Sequence, residues 1–189
     1  MELQKAIDIV KAEINGPRFD HTLRVLKTAE QLTERFAYKN LKKVQLAAIF
    51  HDFAKLQSVE SLRQMIMESD EDPQLLEYHA ELWHGPACAY YLKKQQMIDD
   101  EEILDAIRFH TTGRANMTTL DKIIYLADYI EPARDFPQAE QVRWLASESL
   151  DAALKQALSN SIIFLVQKEV TIHPDTFLAY NDLILKKGE

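Results

Sequence analysis

Cysteine and glycine are scarce in this chain of 189 residues. It has a single cysteine, Cys88, and four glycines. One cysteine excludes an intramolecular disulfide framework and favours a reducing compartment, so the cytoplasm is the expected location. Four glycines leave few positions for the tight turns that connect strands, which argues against a sheet protein.

Long apolar runs are also missing. No stretch approaches the roughly 20 apolar residues that a membrane-spanning helix needs. The first five residues, MELQK, lack the basic start and the following apolar run of a secretory signal. We therefore expect no membrane partner.

The charge balance is acidic. The chain has 22 Lys and Arg against 30 Asp and Glu, which gives a net charge of −8. A negative chain binds duplex nucleic acid poorly, so that partner is not expected. A phosphate compound remains possible if a metal ion and a few arginines overcome the acidic background locally.

Apolar residues recur with a spacing near 3.6 almost throughout, and 47% of the chain is hydrophobic, enough for a sizeable core. This pattern predicts an all-α fold with one domain over 1–189. The predicted helices are Leu3–Ile14, one with Pro17 in its first turn, Leu41–Ala54, Val59–Glu68, a short one from Asp72–Pro73, Ala87–Gln96, Glu102–His110, one from a capping box at Thr118 and Asp121 to Glu131, Pro137–Ala146, Glu148–Lys168 and one after Pro174.

His51 and Asp52 stand together at the end of the apolar run 46–50. Burying an imidazole and a carboxylate without partners costs several kcal/mol, so such a pair needs a metal ion or an ion pair. The pair is also compatible with an ordinary helix end. A single His-Asp dipeptide often occurs by chance and does not by itself mark a metal site.

Four further metal-ligand residues lie on other predicted helices or at their ends. They are His21, His84, His110 and Asp128. Asp128 is informative because an acid inside an apolar helix is usually partnered or functional. Mixed histidine and carboxylate ligands suit iron, manganese or zinc. A shared carboxylate can bridge two metals about 3.5–4 Å apart, an arrangement that suits phosphoanhydride hydrolysis.

The ordered ligand set resembles that of the HD-domain superfamily of metal-dependent phosphohydrolases. The sequence segments around the ligands resemble those of the bacterial YqeK family in particular. The similarity extends from about Ile7 to Asn181. The sequence motifs that carry it are RFDHTLRV (18–25), AAIFHDFAK (47–55), AIRFHTTGR (106–114) and ADYIEPAR (127–134).

This resemblance implies a helical bundle with a metal site in its core. It implies that His21, His51, Asp52 and Asp128 hold the main metal, expected to be iron, with manganese, magnesium or zinc as alternatives. His84 and His110 would hold a second metal with Asp52 as the bridge, or would contact phosphate in a protein with one metal.

The resemblance also implies the substrate, because the family hydrolyses dinucleoside tetraphosphates symmetrically. The expected reaction converts diadenosine tetraphosphate into two ADP, while the choice between adenine and guanine nucleotides stays open. The residues implied in nucleotide binding are Arg18, His21, Trp83, His84, Gly85, His110, Asp128, Arg134 and His173.

Catalytic roles are expected for Asp52, Lys55 and Glu131. Lys55, about one turn after Asp52, could reach a phosphate or could be a solvated lysine. Glu131, three residues after Asp128, could orient the water or a metal-bound histidine, or could be a plain acid at a helix end.

Three other functions remain as alternatives: a nucleotidase, a guanosine alarmone hydrolase, and a nucleotide sensor without catalysis. An oligomer is possible, since the apolar segment Phe177–Tyr180 could close the core or form an interface.

Overall fold

The computed structural model describes residues 1–186, and all regular structure among them is helical, as predicted. The predicted domain end at 189 lies outside the described residues. The α-helices are α1 (Leu3–Glu13), α2 (Gly16–Arg35), α3 (Leu41–Phe50), α4 (Val59–Glu68), α5 (His84–Lys94), α6 (Glu101–Arg108), α7 (Thr119–Ile130), α8 (Pro137–Leu145), α9 (Leu150–Gln167) and α10 (Pro174–Leu185). Two short 3₁₀ helices, Pro73–Glu77 and Ala80–Leu82, lie between α4 and α5.

The central helix of the bundle is α7. It packs against α2, α3, α6, α8 and α9, and its residues Ile123, Ile124 and Leu126 are fully buried. Its start is fixed by the predicted capping box: the Thr118 hydroxyl accepts from the backbone N–H of Asp121, and Asp121 accepts from that of Thr118. The capping box fixes where α7 starts, and the packing holds the helix in the core.

One helix is shorter than its sequence predicts. The apolar run favours a helix over Leu41–Ala54, but α3 ends at Phe50, and turns follow it. The N–H of Phe53 bonds to the Phe50 carbonyl and that of Lys55 to the Asp52 carbonyl. These i to i+3 bonds tighten the chain after the helix and satisfy carbonyls that a helix end would otherwise leave free. His51 and Asp52 therefore lie in a tight turn rather than within a helix.

The C-terminal helices close part of the core and leave apolar side chains in solvent. In the predicted segment, Ala179 is buried whereas Phe177 and Leu178 are about half exposed. Large side chains near the end of α9, among them Phe164, are exposed as well. The segment thus contributes to the core, and its role in an interface stays a prediction. Among residues 1–186, no helix is long and apolar enough to cross a membrane.

Candidate metal centre

The six predicted metal ligands meet at one place in the bundle. They form two groups of three, and within each group the ligand atoms lie within 4.8 Å of one another. We call His21, His51 and Asp128 the first half-site, and Asp52, His84 and His110 the second half-site. All are buried except Asp128, which is partly exposed.

Except for His21, which lies within α2, the ligands lie at or next to helix ends. In the second half-site, His84 is the first residue of α5, and His110 lies two residues after the end of α6. His51 directly follows α3, and Asp128 lies in the last turn of α7. Because α2, α3 and α7 pack on one another, α6 packs on α3 and α7, and α5 packs on α6, these positions converge in the core.

Asp52 belongs to the second half-site and also faces the histidines of the first. Its Oδ2 is 3.7 Å from His21 Nε2 and 3.6 Å from His51 Nε2. Its Oδ1 is 3.1 Å from His84 Nε2 and 3.8 Å from His110 Nε2. One carboxylate oxygen thus faces each half-site, which is the geometry of a carboxylate that bridges two cations.

All four histidines point their Nε2 atoms into the cluster, because each Nδ1 is hydrogen-bonded behind it to an oxygen. A backbone carbonyl can only accept and an ionised carboxylate also accepts, so each Nδ1 carries a proton, and in the neutral imidazole Nε2 is the atom that offers a lone pair. The acceptors are Glu131 Oε1 at 3.1 Å for His21, and the carbonyls of Ala48 for His51, Glu81 for His84 and Ile107 for His110, each at 2.7 Å.

The residues present fit a divalent cation. The Nε2 atoms of His21 and His51 are buried and have no hydrogen-bond partner in the described part of the chain. The Nε2 atoms of His84 and His110 are 3.0 Å apart, so their lone pairs face each other. Buried acceptors that converge in this way are stabilised by a cation between them, and this ligand set suits iron, manganese or zinc.

The electrostatics favour the ligand forms of His110 and Asp52. Burial, together with the nearby His84 and His51, lowers the pKa of His110 to about 3, which keeps the imidazole neutral. Burial alone would raise the pKa of Asp52, but the neighbouring imidazoles of His51, His84 and His110 outweigh it and hold the pKa well below its usual range. A neutral imidazole and an ionised carboxylate are the forms that bind metal.

Glu131 lies behind His21 and is buried. Its Oε1 accepts from His21 Nδ1, and its Oε2 accepts from Arg24 Nε at 2.6 Å and from the N–H of Ala133 at 2.8 Å. Burial tends to raise the pKa of Glu131, but the hydrogen bonds from Arg24 and Ala133 lower it on balance. This is the position of a carboxylate that orients an imidazole ligand, one of the two roles expected for it.

Sequence reasoning missed Arg24. The available signal was its spacing, because Arg24 follows His21 by three residues and shares its face of α2.

Two predicted arginines lie at the rim of the cluster. Arg18 Nη1 donates to Asp52 Oδ2 at 2.7 Å, and Arg134 donates through Nη2 to Asp128 Oδ1 at 2.6 Å and through Nε to the Asp128 carbonyl at 3.1 Å. Their side chains are 36% and 37% exposed, so each guanidinium reaches from solvent to a ligand carboxylate. Planar guanidinium groups at this rim can bind phosphate oxygens with two parallel hydrogen bonds.

Lys55 lies beside the second half-site. Its Nζ donates to Glu81 Oε2 at 2.6 Å and is 3.4 Å from His84 Nδ1. Nδ1 is the side of the His84 ring that faces away from the cluster. A contact between Lys55 and a phosphate therefore stays a prediction.

Trp83 and Gly85 flank His84 and pack against neighbouring segments. The indole of Trp83 is buried, and its Nε1 donates to the Leu75 carbonyl at 3.0 Å. Gly85 lies against the last turn of α6, where a Cβ atom would be 2.8 Å from the Arg108 carbonyl oxygen and 2.9 Å from that of Ile107. Their predicted contact with a nucleotide stays a prediction.

His173 lies at the start of α10. Its Nδ1 accepts from the N–H of Asp175 at 3.3 Å, and its ring packs edge-on against Tyr78 with centroids 4.7 Å apart. It lines a cavity of about 80 Å³ together with Arg108 and Phe109, which precede His110. The cavity therefore adjoins the chain segment that carries a ligand of the second half-site.

Comparison with known proteins gives the class first. A family model described as "HD domain" matches residues 18–133, which contain all six ligand residues. The chain is 45% identical over 184 residues to a Bacillus subtilis (strain 168) protein named "Bis(5'-nucleosyl)-tetraphosphatase, symmetrical". This alignment covers 97% of this chain and 98% of that protein. A protein of the same name from Halalkalibacterium halodurans is 44% identical over 187 residues, 99% of this chain and 100% of that one.

A solved structure agrees with these matches. The crystal structure of a predicted HD superfamily hydrolase involved in NAD metabolism from Clostridium acetobutylicum aligns with a TM-score of 0.91. It is 35% identical and covers 98% of each chain. The chain belongs to the HD-domain family and, within it, to the YqeK-type family of these bacterial relatives.

Proposed function

We propose that this protein is a metal-dependent phosphohydrolase that cuts diadenosine tetraphosphate symmetrically into two ADP. The observation that carries the proposal is Asp52, whose two oxygens face two histidine-rich half-sites. The names of the Bacillus and Halalkalibacterium relatives, each at 44–45% identity over nearly the full chain, support the substrate.

The cofactor we propose is iron, as one or two ions, with manganese, magnesium or zinc as alternatives. His21, His51 and Asp128 would hold one ion, His84 and His110 another, and Asp52 would be shared. A bound divalent metal supplies hydroxide at neutral pH by lowering the pKa of its water from about 15.7 to near 7.

The chain's own residues bind and orient the substrate. Arg18 and Arg134 lie beside ligand carboxylates at the rim, where they can pair with phosphate oxygens and counter the acidic background of the chain. Glu131 holds the His21 ring, and the three other histidines are held by backbone carbonyls. The ligand atoms are therefore preorganised before substrate arrives. We infer that His173 and its cavity contact the nucleoside end of the substrate.

Product analysis tests the proposed reaction. We expect the purified, metal-loaded protein to convert diadenosine tetraphosphate into ADP alone, measured by ion-exchange chromatography. AMP with ATP would contradict the symmetric cut. Parallel assays cover the alternatives, since orthophosphate from a mononucleotide indicates a nucleotidase and pyrophosphate from a guanosine alarmone indicates an alarmone hydrolase. Binding of ADP without turnover of any substrate would indicate a sensor.

Replacing Arg134 with alanine is expected to raise KM for diadenosine tetraphosphate about 10- to 100-fold, because a hydrogen bond to a charged group contributes roughly 1.5–3 kcal/mol. kcat should change less, since Arg134 holds no metal. Steady-state kinetics measure both constants, with bound metal quantified in the same preparation. Arg134→Lys keeps the charge but loses the planar donor pair, so it should recover only part of the affinity. A loss of metal that parallels the loss of activity would contradict a substrate-binding role.

We also infer a cytoplasmic location and a possible oligomer. The lone Cys88 is buried, and burial raises the pKa of its thiol, which suits a reducing environment without requiring it. The exposed apolar side chains of α9 and α10 support an interface with another copy. The net charge of −8 argues against duplex nucleic acid as a partner.

A further inference from the structure

The two half-sites differ in what holds their histidines. His51, His84 and His110 each donate from Nδ1 to a backbone carbonyl. His21 instead faces a carboxylate, Glu131 Oε1, at 3.1 Å. A carboxylate behind an imidazole makes the opposite ring nitrogen a stronger donor to metal than a neutral carbonyl does. His21 is the only one of the four that has this support.

Glu131 is fixed from several directions. Arg24 donates to it through Nε at 2.6 Å, and Arg24 Nη2 lies 3.4 Å from Oε1. The backbone of Glu131 is fixed as well, because Arg143 donates to its carbonyl at 3.0 Å and to that of Ile130 at 2.9 Å. Among the described side chains, those that hydrogen-bond to the Glu131 carboxylate are His21 and Arg24.

We infer that Arg24 is a positioning residue that acts on His21 through Glu131 and sets the metal affinity of the first half-site only. Without Arg24, Glu131 Oε2 keeps the N–H of Ala133 as its donor, and the carboxylate is free to turn away from His21. The His21 ring then loses its fixed orientation. The inference rests on the proposed metal site. It adds that metal affinity in the first half-site depends on hydrogen bonds from Arg24 to Glu131 and between Glu131 and His21, whereas the second half-site has no such pair of side chains behind its histidines.

The test is metal binding without substrate, measured by titration calorimetry with Mn²⁺ alone. Two backgrounds separate the half-sites: His110→Ala leaves the first half-site intact, and His51→Ala leaves the second intact. In the His110→Ala protein, Arg24→Met is expected to weaken Mn²⁺ binding about 10- to 100-fold. In the His51→Ala protein, Arg24→Met should leave the affinity unchanged.

Two controls separate positioning from general damage. Arg35→Met removes another arginine of α2, whose hydrogen bond goes to the Ser147 carbonyl, and should leave Mn²⁺ affinity unchanged. Arg24→Lys should restore part of the affinity. Because Arg24 acts through Glu131, Arg24→Met should add little to the loss caused by Glu131→Gln, whereas independent roles would give additive losses in free energy.

The outcomes are distinguishable. An equal loss in both backgrounds, or additive losses with Glu131→Gln, overturns the inference because either result indicates a general structural role. Unchanged affinity of the Arg24→Met protein in the His110→Ala background overturns the inference alone. Failure of the wild-type protein to bind Mn²⁺ overturns the inference and the proposed metal site together.

Discussion

Replacing Asp52 with alanine is expected to remove bound metal and to lower kcat/KM for diadenosine tetraphosphate by about 10⁴-fold or more. Within residues 1–186, this carboxylate is the one group that faces the histidines of both half-sites, with an oxygen 3.1 Å from His84 Nε2 and the other 3.6 Å from His51 Nε2. Without it, His84 and His110 have no carboxylate beside them and His21 and His51 keep only Asp128, so each half-site has one negative charge fewer and holds a divalent ion more weakly. Metal analysis after dialysis and steady-state kinetics of the same preparation measure the two losses together.

The controls for this variant address folding and charge. Asp99→Ala removes an exposed carboxylate outside the cluster and should leave metal content and turnover unchanged. Asp52→Asn keeps the side-chain shape but loses the negative charge, so it should lose metal as well. Circular dichroism should show the same helix content in all three variants. Full turnover in a metal-free Asp52→Ala protein would contradict the proposed mechanism.

Much of this site can be predicted from the sequence, because charged side chains are rarely buried within apolar stretches unless they have partners. Asp128 interrupts an apolar stretch, and His51 with Asp52 ends another, so each of them is expected to have a partner. The order of the six ligands then carries the resemblance to a family. In the structure, all six lie in one cluster.

Other parts of the site depend on tertiary geometry that no local pattern contains. Arg24 and Glu131 are separated by 107 residues, so the spacing on α2 identifies a face but not its partner. The division of the ligands into half-sites follows from where helices end, and the end of α3 at Phe50 differs from the predicted Ala54. Periodicity shows where apolar residues repeat, but the last turns of a helix are decided by packing and by side-chain hydrogen bonds.

Gly85 is a further example, since the family resemblance implies that it contacts the nucleotide. In the structure it lies close to α6: an added Cβ would lie 2.8 Å and 2.9 Å from the carbonyl oxygens of Arg108 and Ile107, and 3.3 Å from His110 Nδ1. The Ile107 carbonyl is also the acceptor that holds His110. Backbone oxygens at a helix end cannot turn aside as a flexible side chain can, so α5 and α6 would have to move apart.

Gly85→Ala is therefore expected to destabilise the fold by about 2 kcal/mol, as overpacking does, and to lower the melting temperature by roughly 4–8 °C. Alanine has a helix propensity up to about 1 kcal/mol better than glycine, but this gain is smaller than the clash and weakest in the first turn. Mn²⁺ affinity should fall at the second half-site only, because His110 moves with the Ile107 carbonyl. Thermal denaturation and the His51→Ala background described above measure the two effects.

Gly16→Ala is the matched control. Gly16 has a φ of +57° and no atom within 4 Å of an added Cβ, so alanine there costs about 1–2 kcal/mol in backbone strain without displacing a ligand. Both glycine variants should thus lose stability, but only Gly85→Ala should lose metal affinity. If Gly85→Ala instead keeps its melting temperature and Mn²⁺ affinity while KM rises, the glycine is there to admit the nucleotide. The sequence-based prediction would then be correct, and the close approach of α5 to α6 would be incidental to it.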